Sequence, residues 1–345
     1  TVNTITVVVS EGKDKNEEVK NVIKKRLGKI KTTYINGEQD NYNYYIYIEN
    51  KDPNMPEIAI LTDSVSDLTP EDIIGLPIKI VPLKIDLNGE LLKDGVEMSK
   101  DEFWQKMVNS RDEEELKLKT SQPSPQDFLN AYNKLFEKGY KKIISVHPSS
   151  KLSGTVQAAR VGRSLTNRED DIELIDSMGG SLLQGILVLE AAKKAVKKES
   201  FGEIINWINS YKNKGKLLMI IPDLKYLEKG GRIGKAGSAI AGMIQLKPIL
   251  TVSQGEVTIE KKVIGERNAQ KYIEKYVKDE SRKQSLVICT CWGGGPEELE
   301  NISKIHSEIG ESSKITFAIL NRQIGAVIGC HTGPVYGVFI FPKLS

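Results

Sequence analysis

From residue 57 onward, short apolar runs alternate with longer stretches of helical periodicity. EIAIL (57–61), IKIVPLKIDL (78–87), KIISV (142–146) and IELID (172–176) have strand length and β-branched character. Most are trailed by segments whose apolar residues recur every three to four positions. This alternation predicts a parallel sheet covered on both faces by helices. The run at 78–87 leads into a hairpin at Asn88-Gly89. Ser99-Lys-Asp-Glu102 has the spacing of a capping box, and Ser124-Pro125 places proline where a helix needs no N–H donor.

After about Gly215 the pattern changes. LLMIIP (217–222), PILTVSQGEVTIEKKV (248–263), SLVICTC (285–291), KITFAIL (314–320) and YGVFIFP (336–342) read as strands, the second folded about Gln254-Gly255. Helices between several of them make this half an α+β layer. Two lobes result, about 57–214 and 215–345, with a cleft suited to a small ligand. Residues 1–55 read separately as a βαββ module: strands at Thr4–Val9, Thr32–Ile35 and Tyr42–Ile48, and a helix over Asn16–Leu27. The two prolines of Lys51-Asp-Pro-Asn-Met-Pro56 make that stretch a linker.

Composition narrows the function. The 345 residues carry 49 basic and 46 acidic side chains, interspersed, for a net charge of +3. Nucleic acid is not the expected partner, because neutralising a phosphate backbone takes a basic face. Cys289, Cys291 and Cys330 are too few for a disulfide framework and point to the cytoplasm. No apolar run reaches the ~18 residues of a membrane span, so no stable membrane insertion is expected. The first residues lack a signal-peptide pattern. The chain starts at Thr1, compatible with a processed end or a cut within something longer.

Four short segments carry more information together than apart: Thr62-Asp63-Ser64, Thr120-Ser121-Gln122-Pro123, Leu152-Ser153-Gly154-Thr155 and Gly230-Gly231-Arg232-Ile233. A fifth, His331-Thr332-Gly333-Pro334, lies near the C-terminus. Ile175-Asp176-Ser177 and Lys247-Pro248-Ile249-Leu250 support them. In order and spacing these resemble the DegV family, over roughly 57–345. The resemblance implies a two-lobed α/β fold, with an N-terminal parallel-sheet lobe and a C-terminal α+β lobe. It also implies a bacterial fatty-acid-binding protein, without a cofactor, that serves a fatty acid kinase in phospholipid metabolism. In that family the threonine of the Thr-Ser-x-Pro segment and the serine of Leu-Ser-Gly-Thr hydrogen-bond the carboxylate, which carries over to Thr120 and Ser153. The loop Gly333-Pro334-Val335-Tyr336-Gly337 is one residue shorter than the family commonly has, which bears on the aim of His331.

The chemistry agrees with that expectation. A carboxylate offers only acceptors, and hydroxyls supply donors without a buried charge. Thr120 and Ser153 both precede expected helix starts, where free N–H groups favour anions. Gly154 lets backbone approach a ligand closely. A sixteen-carbon chain has about fourteen methylenes at ~0.8 kcal/mol each, roughly 11 kcal/mol of transfer free energy, which favours an enclosed tunnel. Helices over 181–196 and 236–246 supply aliphatic and small residues for its walls.

The candidate ligand set is therefore Thr120, Ser121, Ser153, Gly154, Thr155, Ser64, Arg232 and His331, with no catalytic residue and no metal ligand. Plainer readings stand beside it. Thr120 and Ser153 alone are helix caps, and Arg232 is a surface residue after a glycine C-cap. Asp63 and Ser64 either brace a loop or meet the ligand, and His147 is structural. Cys289 and Cys291 share one strand face and are core, lacking further ligands at metal spacing. Two functional rivals remain. One is a serine hydrolase using Ser153 with His331, though Gly-x-Ser-x-Gly is missing. The other is the carrier or interaction segment of a fused kinase–DegV polypeptide.

Overall fold

The computed structural model describes residues 4–10, 31–37, 44–49, 55–110, 117–237, 246–310 and 314–343. Contacts divide the chain into two compact units, Thr1–Met55 and Pro56–Ser345. In the first, strands β1 (Thr4–Ser10), β2 (Lys31–Gly37) and β3 (Tyr44–Glu49) form a sheet in the order β2-β1-β3. β1 pairs parallel with β2 and antiparallel with β3. The helix expected over 16–27 and most of the expected linker lie outside the described residues.

The second unit opens with β4 (Ile58–Asp63), a 3-10 turn at Ser64–Ser66 and α1 (Pro70–Ile73). The single strand expected over 78–87 is in fact two, β5 (Ile78–Val81) and β6 (Lys84–Leu87). They join different sheets. Pro82 cannot donate to a ladder, so the run breaks there. β5 pairs parallel with β4, while β6 turns away to pair with β7 (Glu90–Lys93). The expected hairpin between them has Asn88 and Gly89 at φ 55° and 92°, the conformation a two-residue turn requires.

After α2 (Lys100–Asn109) comes β8 (Leu118–Ser121), the third strand of this small antiparallel sheet, in the order β7-β6-β8. Next are α3 (Pro125–Glu137), β9 (Lys142–His147), α4 (Thr155–Ser164), β10 (Ile172–Asp176), α5 (Leu182–Val196) and α6 (Phe201–Tyr211). The Ser124 hydroxyl caps α3 and Asp127 returns the bond, an arrangement worth about 1 kcal/mol. The expected box at Ser99 is half made: Ser99 accepts from the Glu102 N–H, but the Glu102 carboxylate turns to Lys106.

The parallel sheet runs β10-β9-β4-β5. All six residues of β4 are buried, and period two divides them. Ala59 and Leu61 meet Phe128, Tyr132 and Ala159 of α3 and α4. Ile58 and Ile60 face the opposite side, in the core shared with α5.

The second lobe contains β11 (Lys216–Ile220), α7 (Lys225–Lys229), β12 (Leu246–Ser253), β13 (Glu256–Ile264) and α8 (Glu266–Lys283). It continues with β14 (Leu286–Gly293), α9 (Pro296–Ile309), β15 (Ile315–Gln323), α10 (Ala326–Thr332) and β16 (Val335–Pro342). Its mixed sheet runs β13-β12-β11-β16-β14-β15. Leu218, Ile220, Ile288 and Val338 pack with α8 and α9 on one face. Leu217, Met219, Cys289, Cys291 and Phe339 face the other way and join the core of the first lobe. Cys289 and Cys291 thus share one face, as the two-residue period predicts. The fold is α/β, with a parallel sheet and a mixed sheet pressed around one common core.

Candidate functional site

Inside that common core lies a cavity of about 140 Å³. Its walls are mostly apolar and come from both lobes, including Val65, Leu83, Leu217, Met219, Val327 and Phe339. Seven polar residues also line it, Ser181 and Thr332 among them; the other five are Thr120, Gln122, Ser153, Arg232 and His331.

One direct bond, between Thr120 and His331, and several neighbouring backbone groups connect these five. Thr120 Oγ1 lies 2.7 Å from His331 Nε2. Gly230 presses against the His331 ring so closely that an added Cβ would fall 2.3 Å from Nδ1. The Arg232 guanidinium bonds the Gly230 carbonyl, and its Nε donates to Leu152 O at 3.2 Å. Ser153 follows, with its hydroxyl 2.8 Å from Thr155 Oγ1 and accepting from the Thr155 N–H at 3.3 Å. Gly154 then leaves room for the Gln122 amide, which a Cβ there would meet at 2.9 Å. Gln122 returns the chain to Thr120. These polar groups are therefore near one another in a mostly apolar cavity.

Local structure explains each placement. Thr120 sits on β8, opposite Ile85 of β6. Along β8, Leu118 and Thr120 are half-buried while Lys119 and Ser121 are exposed. Ser121 thus points away from the cavity that Thr120 lines. Ser153 lies in the loop before α4, whose N-cap is Gly154. Thr155 is buried and braces Ser153. Ser64 is elsewhere: its hydroxyl accepts from the Leu83 N–H at 3.1 Å and bonds Asp94. Burial pushes the Asp94 carboxyl up to about 7, and the Ser64 bond opposes the shift.

His331 is the electrostatic centre. Burial, reinforced by the Arg232 charge, pushes its pKa down to about 4. The ring is neutral at pH 7, so only one of its nitrogens carries a proton. Nδ1 is buried and has no hydrogen-bond partner among the described residues. Arg232 has no carboxylate partner among the described residues. Two hydroxyls, one of them backed by a neutral imidazole, and a guanidinium that bonds only backbone carbonyls among the described residues stand at a mostly apolar space, an arrangement suited to an anionic head on an apolar body.

Ser153 does not pair with an imidazole, as a hydrolytic serine would. A chain of serine, histidine and aspartate does exist: His147 Nε2 lies 2.7 Å from Ser145 Oγ, and Nδ1 lies 2.6 Å from Asp63 Oδ2. All three side chains are fully buried in the parallel sheet, out of reach of any substrate. The expected helix over 236–246 falls mostly outside the described residues. Of the other expected wall, 181–196, the cavity is lined by Ser181 alone among the described residues, with Gly180 before it, while most aliphatic side chains of α5 go into the core. Gln122 is a site residue that the sequence reading does not single out. Its place between Thr120 and a Pro-initiated helix is the signal that could have found it.

The family model described as "Uncharacterised protein, DegV family" matches residues 57–343. A DegV domain-containing protein of Caldanaerobacter subterraneus subsp. tengcongensis is 35% identical over 295 residues, covering 84% of this chain and all of that protein. One from Listeria innocua is 31% identical over 282 residues, covering 80% and 95%. Among solved structures, "Fatty Acid Binding of a DegV family Protein from Thermus thermophilus" superposes with a TM-score of 0.75 at 29% identity, covering 83% of this chain and 99% of that one. A DegV protein from Bacillus subtilis shares the fold, with a TM-score of 0.72 at 24% identity over 83% and 99%.

Proposed function

This chain belongs to the DegV family, and from that premise we propose that it binds one long-chain fatty acid in the cavity and presents the carboxylate to a fatty acid kinase. The observation that carries the reading is that Thr120, Gln122, Ser153, Arg232 and His331 all line one mostly apolar cavity. Fatty acid binding by the structurally similar DegV family protein from Thermus thermophilus supports it.

In this reading His331 donates from Nε2–H to Thr120 Oγ1. Thr120 keeps its own proton for one carboxylate oxygen, and Ser153 donates to the other. Arg232 balances the charge. Ser153 also lines a second, polar groove of about 380 Å³ with Ser150, Arg160 and Lys212. A carboxylate at Ser153 would stand at the boundary of that groove, which gives a phosphoryl donor a route to it. The protein contributes no catalytic group. It holds the acyl phosphate afterwards, in a bacterial cytoplasm where three unpaired cysteines stay reduced.

The test is binding of palmitic acid against methyl palmitate, which keeps the tail and loses the anion. Thr120→Val and Ser153→Ala should each weaken the acid about ten- to hundred-fold, at roughly 1.5–3 kcal/mol per charged hydrogen bond. The ester should barely change. Equal losses for acid and ester would make the two residues packing or caps and defeat the carboxylate assignment.

A further inference from the structure

Asp67 is buried at the C-cap of the 3-10 turn that follows β4, and it belongs to none of the short segments that resemble the family. It adopts φ 55°, a left-handed conformation that aspartate tolerates better than most residues. Its Oδ2 accepts from the Ser181 hydroxyl at 2.5 Å. Its Oδ1 accepts from the Gly325 N–H at 2.7 Å and faces Lys100 Nζ at 3.5 Å. Gly325 is the N-cap of α10, the helix that carries His331. A Cβ on Gly325 would fall 2.7 Å from Oδ1, so the carboxylate occupies the place of a side chain.

Two more anchors hold the same stretch of chain. Lys100 Nζ donates to Gln323 O at 3.0 Å, and Trp104 Nε1 donates to Ile324 O at 2.8 Å. Three successive residues, 323 to 325, are fixed by side chains of the first lobe. Asp67 is the one that grips the helix itself.

We infer that Asp67 is a positioning residue for the carboxylate site, acting through α10 to aim His331 at Thr120; this rests on the fatty acid reading proposed for the cavity. At 1.5 Å per residue, His331 lies about 9 Å along the helix from Gly325. A tilt of about 10° at the start would move the far end by roughly 1.5 Å. The 2.7 Å contact between His331 and Thr120 does not survive such a shift, because hydrogen bonds fail beyond about 3.5 Å. Thr120 would then lose the donor that leaves its own proton free.

The experiment uses Asp67→Asn in the full chain, which keeps the size but can no longer accept at both Oδ positions. The chain has only three histidines, so ring-¹⁵N resonances of His331 are readily assigned by difference from His331→Gln. In ligand-free protein the Asp67→Asn change should move His331 from a single hydrogen-bonded tautomer to a mixture. Palmitic acid affinity should fall about ten-fold, with methyl palmitate changed less than about two-fold, the loss expected of one charged hydrogen bond. Unaltered His331 resonances, or equal losses for acid and ester, would overturn the inference. Should Asp67→Asn not fold, Gly325→Ala displaces the same carboxylate from the helix side and must give the same two signatures. If Thr120→Val and Ser153→Ala fail to separate acid from ester while His331 still answers to Asp67, the carboxylate reading falls, and with it the inference, leaving only the structural link from Asp67 to His331.

Discussion

The first lobe and the lobe junction each hold a histidine, and they differ in what their ring nitrogens have left to give. His147 is saturated: Asp63 takes Nδ1, Ser145 meets Nε2, and Tyr132 continues the chain at 3.0 Å from Ser145. Gln184 closes the other end, donating to Thr62 Oγ1 at 2.8 Å. His331 has one partner, Thr120, and one buried nitrogen without any among the described residues. Both rings meet a hydroxyl through Nε2. The buried Gln184 Oε1 has no partner among the described residues. Both nitrogens of His147 are engaged, however, as suits a ring that fixes a core, whereas His331 stands beside a cavity with one nitrogen engaged.

The largest effect should come from breaking the network around His147. Asp63 accepts from His147, from the Val65 N–H at 3.0 Å and from Gln184 at 3.3 Å. Asp63→Ala leaves these buried donors stranded, and denaturant unfolding should show a loss of roughly 3–5 kcal/mol. The ratio of acid to ester affinity in protein that remains folded should hold. A changed ratio would mean that the two histidine networks are one.

Next comes the pH response of His331. Its folded pKa of about 4 lies below the ordinary value of about 6.5, so the unfolded chain takes up the proton first. Stability is fully present above about pH 7 and is lost as pH falls from about 6.5 toward 4. The loss is roughly 3 kcal/mol at most, from about 1.4 kcal/mol per pKa unit. His331→Gln should remove this component when unfolding is compared with the parent protein across that window. Parallel curves for the two proteins would mean that the ring is not held neutral by its surroundings. The smallest effect is expected for Thr120→Val on stability without ligand, about 1 kcal/mol or less in thermal unfolding, because the site's bonds are not all engaged. A loss comparable to Asp63→Ala would erase the distinction between the two regions.

Period-two and helical patterns made the parallel sheet, both hairpins and the strands of the second lobe legible in the chain. They failed at Pro82, where one apolar run serves two sheets, and at β8. Leu-Lys-Thr-Ser is too short and polar to announce a strand, and its partner β6 is more than thirty residues away. The site was harder still. Thr120 and His331 are 211 residues apart, and no spacing rule joins them. Only the resemblance named Thr120, Ser153 and His331 as a group, and their geometry supports grouping them with Arg232. Ser64 and Ser121 match the same short segments but turn elsewhere, because a segment match says nothing about which way a side chain points. Asp67 is not legible in the sequence, because its partner is a backbone N–H 258 residues away.

The delivery of Thr120 by β8 has one more consequence, a matter of parity. On a strand the choice of face is binary, so a shift of one residue in the pairing with β6 would not move the hydroxyl slightly. It would exchange Thr120 for the ammonium of Lys119 or the hydroxyl of Ser121. A site built this way has no graded failure: it is assembled or it is inverted. Its fidelity is therefore set by the turn at Asn88-Gly89 and by the packing of Ile85, neither of which touches a ligand's head.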